Sequence, residues 1–204
     1  KRSLELAESY VNGMEERLRL GLVTELSVSE AKITVLQQQI NLAEKERLLT
    51  AASSQRNIYI APVIEFAIET GMRRSEILKL RWCDVNFENG FAFLHDTKNG
   101  EDRSVPLTLN CVQILKTLHR QGENIFPISA NCLRLAWTRA RKKADITDLR
   151  FHDLRHEAVS RFFEMGMSVP EVALVSGHKD LRQLFRYTHL SPTSVFQKYE
   201  AFSR

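Results

Sequence analysis

"FHDLRHEAVSRFF", residues 151–163, sets a histidine, an acid, an arginine and a second histidine at the head of a helical run. His152 and Arg155 stand three residues apart, so on a helix or its first turn they share a face and can address one ligand. What the rest of the chain brings to that ligand decides both fold and chemistry.

Two other stretches supply matching side chains. In "TGMRRSEIL" (70–78), Arg73 follows Gly71 at the mouth of a helix, and Glu76 three residues on can fix its guanidinium by a charge-assisted hydrogen bond. In "LVSGHKDLRQLFRYTHLSP" (174–192), Tyr187 comes nine residues after His178 among basic side chains. Lys98 sits beside a turn in "TKNGED" (97–102), where a long side chain can project from a sheet edge into a cleft. Each has an ordinary structural reading: an intrahelical ion pair for Arg73 with Glu76, a solvated turn for Lys98, capping or core roles for His152 and His178, a local pairing of Arg155 with Asp153 or Glu157, and a helix-edge aromatic for Tyr187. Together they suit attack on a phosphodiester without metal. Two arginines can clamp non-bridging oxygens, histidines can donate hydrogen bonds or move protons, and the phenol can be the nucleophile. A phenol of ordinary pKa near 10 needs proton removal or an electropositive pocket, which the basic cluster offers.

The surrounding pattern predicts compact helices around a small sheet, mainly α with an antiparallel β element. Helices are expected at "EKERLLTAAS", "IYIAPVIEFAIETG" ending at Gly71, "RSEILKLRW", "LTLNCVQILKTLHRQ", "NCLRLAWTRARKKA", "HDLRHEAVSRFFEMG" and "VPEVALVSG". Strands are expected at "FAFLHD" and "RSVPL", with Asn99-Gly100 as the hairpin turn.

From about residue 44 to the C-terminus the chain resembles the catalytic domain of the tyrosine recombinases, the phage integrase family. The residues that carry this are "TGMRRSEILKLRWCDVNF", "TKNGEDRSVPL", "FHDLRHEAVS", "LVSGHK" and "YTHL", in the family's order. The resemblance puts Arg73, Lys98, His152, Arg155, His178 and Tyr187 on six catalytic positions and Glu76 on a supporting acidic one. It implies that Tyr187 attacks the scissile phosphate to leave a 3'-phosphotyrosyl link and a free 5'-hydroxyl. Arg73 and Arg155 would stabilise the phosphorane, His152 would act as general base, Lys98 as general acid for the departing 5'-oxygen, and His178 would hydrogen-bond a phosphate oxygen. No cofactor or metal is implied. The expected partner is double-stranded DNA, with Arg103, Arg134, Arg139, Arg141, Lys142, Lys143 and Arg150 as phosphate contacts. A homo-tetramer on DNA is implied too, with "SPTSVFQKYEAFSR", anchored by Val195, Phe196, Tyr199 and Phe202, docking on a neighbouring protomer or folding back. Relaxation of supercoils by a type IB topoisomerase-like enzyme is a mechanistic alternative, and a helical interaction module with an inert integrase-like part is another.

Residues 1–43 read differently. Leu4, Ala7, Val11, Met14 and Leu18, then Leu26, Ile33, Leu36, Ile40 and Ala43, recur at three-and-four spacing on either side of Gly21, which predicts a coiled-coil-like helical hairpin. Residues 3–44, above all "ERLRLGLVTELSV", resemble the periplasmic helices of outer-membrane efflux channel proteins. The separate helical DNA-binding domain usual before an integrase catalytic domain is not recognisable here. Two segments, 1–43 and 44–204, are therefore expected, joined through a helix.

Bulk properties agree with a globular chain of 204 residues, 43% of them hydrophobic. Residues 1–50 carry seven Lys/Arg against eight Asp/Glu and the remainder 22 against 17, so the basic excess belongs to the integrase-like part. The longest apolar stretch, "IYIAPVIEFAI", is too short and interrupted to span a membrane, and no secretory signal is visible. Cys83, Cys111 and Cys132 form no paired motif, so a cytoplasmic, reducing setting is expected.

Overall fold

The structure is a computed structural model that describes residues 2–21, 23–95 and 102–187. Two helices, α1 (Arg2–Arg19) and α2 (Glu25–Ser53), form the expected hairpin, and the break falls at Gly21 with φ +70°. Val11 and Met14 of α1 are buried, as is Val28 of α2, and the two helices pack together. The second apolar run departs from expectation: Leu26, Ile33, Leu36 and Ala43 are exposed. A pair of helices buries only the strip between them, and these four positions fall off that strip.

From residue 44 onward α2 changes role without interruption. Its last turns put Leu48, Ala51 and Ala52 into the main core against α3 (Ile60–Thr70) and α6 (Ala130–Lys143). α3 is the central helix: Ile60, Val63, Ile64, Phe66, Ala67 and Ile68 are all buried, so it meets protein on nearly every side. It stops at Gly71, whose φ of +62° supplies the left-handed cap and whose N–H donates to Ala67 O. A Cβ there would lie 3.1 Å from Ala158 Cβ, so the glycine also lets α7 (Asp153–Glu164) approach.

Short α4 (Arg74–Lys79) leads through a 3-10 turn, Trp82–Asp84, into a three-stranded antiparallel sheet in the order β1 (Val85–Asn86), β2 (Phe91–Leu94), β3 (Arg103–Pro106). β1 pairs Val85 with Ala92, and β2 pairs Ala92 with Val105 and Leu94 with Arg103. The fold is mainly α with a small antiparallel sheet, as the sequence predicts; β1, two residues long, is an addition. Its turn is built at Asn86–Gly90, where Asn86 Oδ1 accepts from the N–H groups of Glu88 and Asn89 at 3.0 and 2.9 Å. The Asn99-Gly100 turn lies outside the described residues.

The remaining helices are α5 (Leu109–Thr117), α6, α7, α8 (Val169–Ser176) and a single turn, α9 (Arg182–Phe185), the last not foreseen. Ser168 and Glu171 start α8 reciprocally: the Ser168 N–H donates to Glu171 Oε2 at 2.6 Å and the Ser168 hydroxyl accepts from the Glu171 N–H. α8 packs on β3 and α7, which directs its C-terminal end at the residues below. Among the described residues no helix is long and apolar enough to cross a membrane.

Candidate active site

The end of α8 gathers three arginines. The last carbonyls of a helix lack intrahelical donors and form the negative end of its dipole. Here three successive ones are taken by guanidiniums: Val175 O accepts from Arg103 Nε at 3.2 Å, Ser176 O from Arg155 Nη2 at 2.7 Å, and Gly177 O from Arg73 Nη2 at 3.1 Å. Gly177 is left-handed, φ +70°, and a Cβ on it would lie 2.8 Å from Arg103 Nη1. That position tolerates glycine for both backbone and space.

Glu76 holds two of the three from the other side. Arg73 Nη1 donates to its Oε1 at 2.9 Å, and Arg103 grips both oxygens, Nη1 to Oε1 and Nη2 to Oε2, each at 2.9 Å. The Arg73 backbone N–H also donates to Oε2 at 2.8 Å, so Glu76 caps α4 while it orients the arginines. Burial by itself pushes this carboxyl up. The hydrogen bonds and charge of Arg103, with those of Arg73, outweigh burial and keep it below the usual carboxylate range.

Arg155, 5% exposed, is the deepest of the three. Besides Ser176 O, it reaches Gly71 O with Nη1 at 2.8 Å, tying the end of α3 to that of α8. Burial first, and then the charge of Arg73, bring its pKa down to about 10. It stays charged at neutral pH. Among the described residues, three guanidiniums against one carboxylate leave a surplus of positive charge in a largely desolvated place, which an anion would relieve.

His178 lies against this cluster, its ring nitrogens 3.4 and 3.5 Å from Arg155 Nη2. Burial, followed by the charges of Arg155 and Arg73, depresses its pKa to about 4, so the ring is neutral at pH 7. Ser176, fully buried, donates its hydroxyl proton to Val172 O at 2.6 Å, so it accepts from His178 Nδ1–H, also at 2.6 Å. That assignment puts the His178 proton on Nδ1 and leaves Nε2 with a lone pair.

Tyr187 is half-buried against α7. Its ring stacks on Phe163, with centroids 6.4 Å apart and planes 12° apart, and on His156 at 6.0 Å and 27°. Its hydroxyl is hydrogen-bonded to His156 Nδ1. His152, at the exposed N-cap of α7, meets His156 edge to face at 5.0 Å; burial, then the neighbouring His156 and Arg155, lower its pKa.

The chain belongs to the phage integrase family. The model of that family matches residues 38–194. Among individual relatives, the shufflon-specific DNA recombinase of Escherichia coli is 40% identical over 165 residues, which cover 79% of this chain and 43% of that protein. The catalytic domain of bacteriophage HP1 integrase shares the fold at a TM-score of 0.64 and 22% identity, over 77% of this chain and 90% of that one. A lambda integrase dimer bound to a COC' core site matches at 0.60 and 19%, over 90% of this chain and 63% of that chain. This integrase-family chain spans about two-fifths of the length of the first curated relatives it matches.

Arg73, Glu76, Arg155 and His178 meet at the end of α8, with His152 and Tyr187 on the α7 side of the same cluster. Lys98 lies outside the described residues, as do Val195, Phe196, Tyr199 and Phe202. Arg103 differs from expectation. Rather than offering itself to DNA, it is buried with all three nitrogens committed to Glu76 and Val175, because β3 pairs beside α4 and α8 and points it inward. Arg134, Arg139, Lys142, Lys143 and Arg150 are exposed and Arg141 is partly so. Ser176 and His156 were not among the expected site residues. The "S-G-H" of "LVSGHK" and the one-turn spacing of His152 and His156 are the signals that point to them.

Proposed function

We propose that this chain is the catalytic part of a site-specific DNA recombinase that cleaves and rejoins duplex DNA through a 3'-phosphotyrosyl intermediate. The observation that carries this reading is the surplus of guanidinium charge fixed on the end of α8, next to a tyrosine whose hydroxyl is held by a histidine. A phosphodiester is the anion that suits that surplus and that a phenol can attack. Arg73 and Arg155 each have N–H donors beyond the two tied to protein oxygens among the described residues, and their forks are oriented before any ligand arrives. Donors set in place in this way act on charge as it develops in the phosphorane.

In this reading Tyr187 is the nucleophile, His152 and His178 serve the phosphate and its protons, and Lys98 protonates the leaving 5'-oxygen. Arg134, Arg139, Arg141, Lys142, Lys143 and Arg150 contact backbone phosphates along the duplex, while Arg103 is a positioning residue that works through Glu76. His178 becomes a donor at Nε2 when a bound phosphate raises its pKa and it takes up a proton. The reaction belongs in the cytosol, on double-stranded DNA, with protomers assembled as a tetramer. We further propose that residues 1–43 are a separate unit, joined to the catalytic part where α2 passes from hairpin to core, and that its likeness to efflux-channel helices reflects a fusion.

Covalent trapping tests the central claim. Wild-type protein incubated with pooled nicked duplexes, which let the cleaved end diffuse away, is expected to carry DNA through a denaturing gel. Tyr187→Phe is expected to bind the same DNA and carry none. An adduct formed undiminished by the variant would overturn the assignment of the nucleophile.

A further inference from the structure

The tyrosine's proton must go somewhere, and the structure offers it a destination that the sequence reading did not. We propose that His156 is the catalytic base that takes the phenol proton of Tyr187 during attack and returns it during rejoining. This rests on the recombinase reading above.

Three observations carry it. The Tyr187 hydroxyl is the hydrogen-bond partner of His156 Nδ1. In the proposed tautomer the ring's own proton sits on Nε2, and Nδ1 holds the lone pair and accepts from the phenol. Second, the contact is built rather than incidental. His156 and Phe163 are seven residues apart on α7 and so on one face, and Tyr187 stacks on both rings. From the other end, the Tyr187 N–H donates to Leu184 O at 3.0 Å, and Leu184 is fully buried, which anchors the α9 turn that carries the phenol. Third, His156 follows Arg155 directly, and Arg155 is close enough to Tyr187 for the two to interact electrostatically. The base thus contacts the nucleophile while the next residue back along α7 belongs to the phosphate clamp. His152, one helical turn away, touches His156 edge to face and is exposed at the head of α7, a place suited to a phosphate oxygen.

The step balances without another reagent. As the Tyr187 Oη–P bond forms, the phenol proton moves to His156 Nδ1, the P–O5' bond breaks, and the 5'-oxygen is protonated by the general acid. Rejoining runs in reverse: the 5'-hydroxyl attacks and gives its proton back to the deprotonated general acid, Oη–P breaks, and the imidazolium returns its proton to the phenolate. Transfer accompanies bond formation, because the phenol oxygen becomes a strong proton donor only as it bonds to phosphorus. The imidazolium then faces the negative phosphorane. Arg186, its guanidinium 5.7 Å from the Tyr187 ring, adds positive charge on the phenol's side.

The test uses the full chain and a nicked duplex on which wild type forms an adduct, with single-turnover adduct formation as the readout. His156→Ala is expected to slow the step about 10²–10⁴-fold, the range for a lost general base. Added imidazole should recover part of the rate. His156→Asn, which can hold the phenol but not accept its proton, should remain slow. The defect should persist on a duplex whose bridging 5'-oxygen is sulfur, because that leaving group needs no acid. Wild-type rates in His156→Ala, restoration by Asn, or restoration by sulfur would each overturn the proposal, pointing respectively to no role, a positioning role, or a role at the leaving group. Imidazole rescue of His152→Ala but not of His156→Ala would move the base to His152. If wild type forms no adduct on any duplex, the recombinase reading falls and takes this proposal with it.

Discussion

The chain carries two populations of cations, and their surroundings make them different instruments. At the end of α8, Arg73, Arg103 and Arg155 are fixed by main-chain carbonyls and by Glu76, largely out of water. Along α6, Arg134 bonds Asn131 of its own helix, Arg139 reaches Gln55 at 3.4 Å, and Lys143 reaches Ser54 at 2.7 Å, all on exposed side chains. The buried group has geometry and poorly screened charge, whereas the α6 group has reach and charge that salt readily screens. The first suits chemistry on one phosphate, the second attraction to many.

Substitutions should separate the two groups. Glu76→Ala has the largest expected effect on stability, about 3–5 kcal/mol, because it leaves the Arg103 guanidinium, buried, and that of Arg73, partly buried, without their carboxylate. Chemical denaturation would measure it. The contribution has a pH signature: since the folded carboxyl lies below its ordinary range, it is complete above about pH 4.3 and disappears as pH falls through the depressed folded value. The variant should therefore lose part of the wild type's acid sensitivity. Arg155→Lys keeps a charge but not the fork, and adduct formation should fall about 10²–10³-fold. Equal loss from any single α6 substitution would erase the distinction.

Gly177→Ala comes next, at about 1–3 kcal/mol, since it combines a left-handed backbone with a collision against Arg103. A thermal melt would register it. For His178 the expected effect is a few-fold. Its pKa of about 4 in the free protein rises when phosphate binds, so the complex holds more protons and DNA affinity should strengthen as pH falls from 8 to 6. His178→Asn should flatten that slope. The smallest effect on the fold belongs to Lys142→Ala and Arg134→Ala, within about 0.5 kcal/mol. Each should instead reduce the salt dependence of DNA binding by about one unit.

Much of this contrast was legible in the sequence, and what was not has physical causes. The helices from α3 to α8 announced themselves through periodicity, the Gly71 stop and polar caps such as Ser168 with Glu171. β1 escaped because two residues make no period, and α9 because one turn does not. In the hairpin, Val11 and Met14 lay on a readable stripe, but which side of α2 would face them depended on the angle of docking, leaving Leu26, Ile33 and Leu36 outside. At the site, Arg73 with Glu76 and His152 with Arg155 were local pairs at helical spacing. The fate of Arg103 turned on Glu76, 27 residues away, and on the end of α8, and the Tyr187–His156 contact spans 31 residues. Chemistry of that range is decided by packing.

The oxygens that position Arg73 and Arg155 at Gly71, Ser176 and Gly177 belong to peptide groups. An ordinary scan that exchanges one amino acid for another leaves those acceptors in place, so what it reads at Gly71, Ser176 and Gly177 comes from side chain and backbone conformation and not from the carbonyls. Semisynthesis can reach them. An ester in place of the amide between Gly71 and Met72, or between Ser176 and Gly177, weakens one acceptor while keeping every side chain; each also removes one N–H, that of Met72 toward Thr70 Oγ1 or that of Gly177 toward Ala173 O, so an effect common to both esters reports the aim of the Arg155 fork.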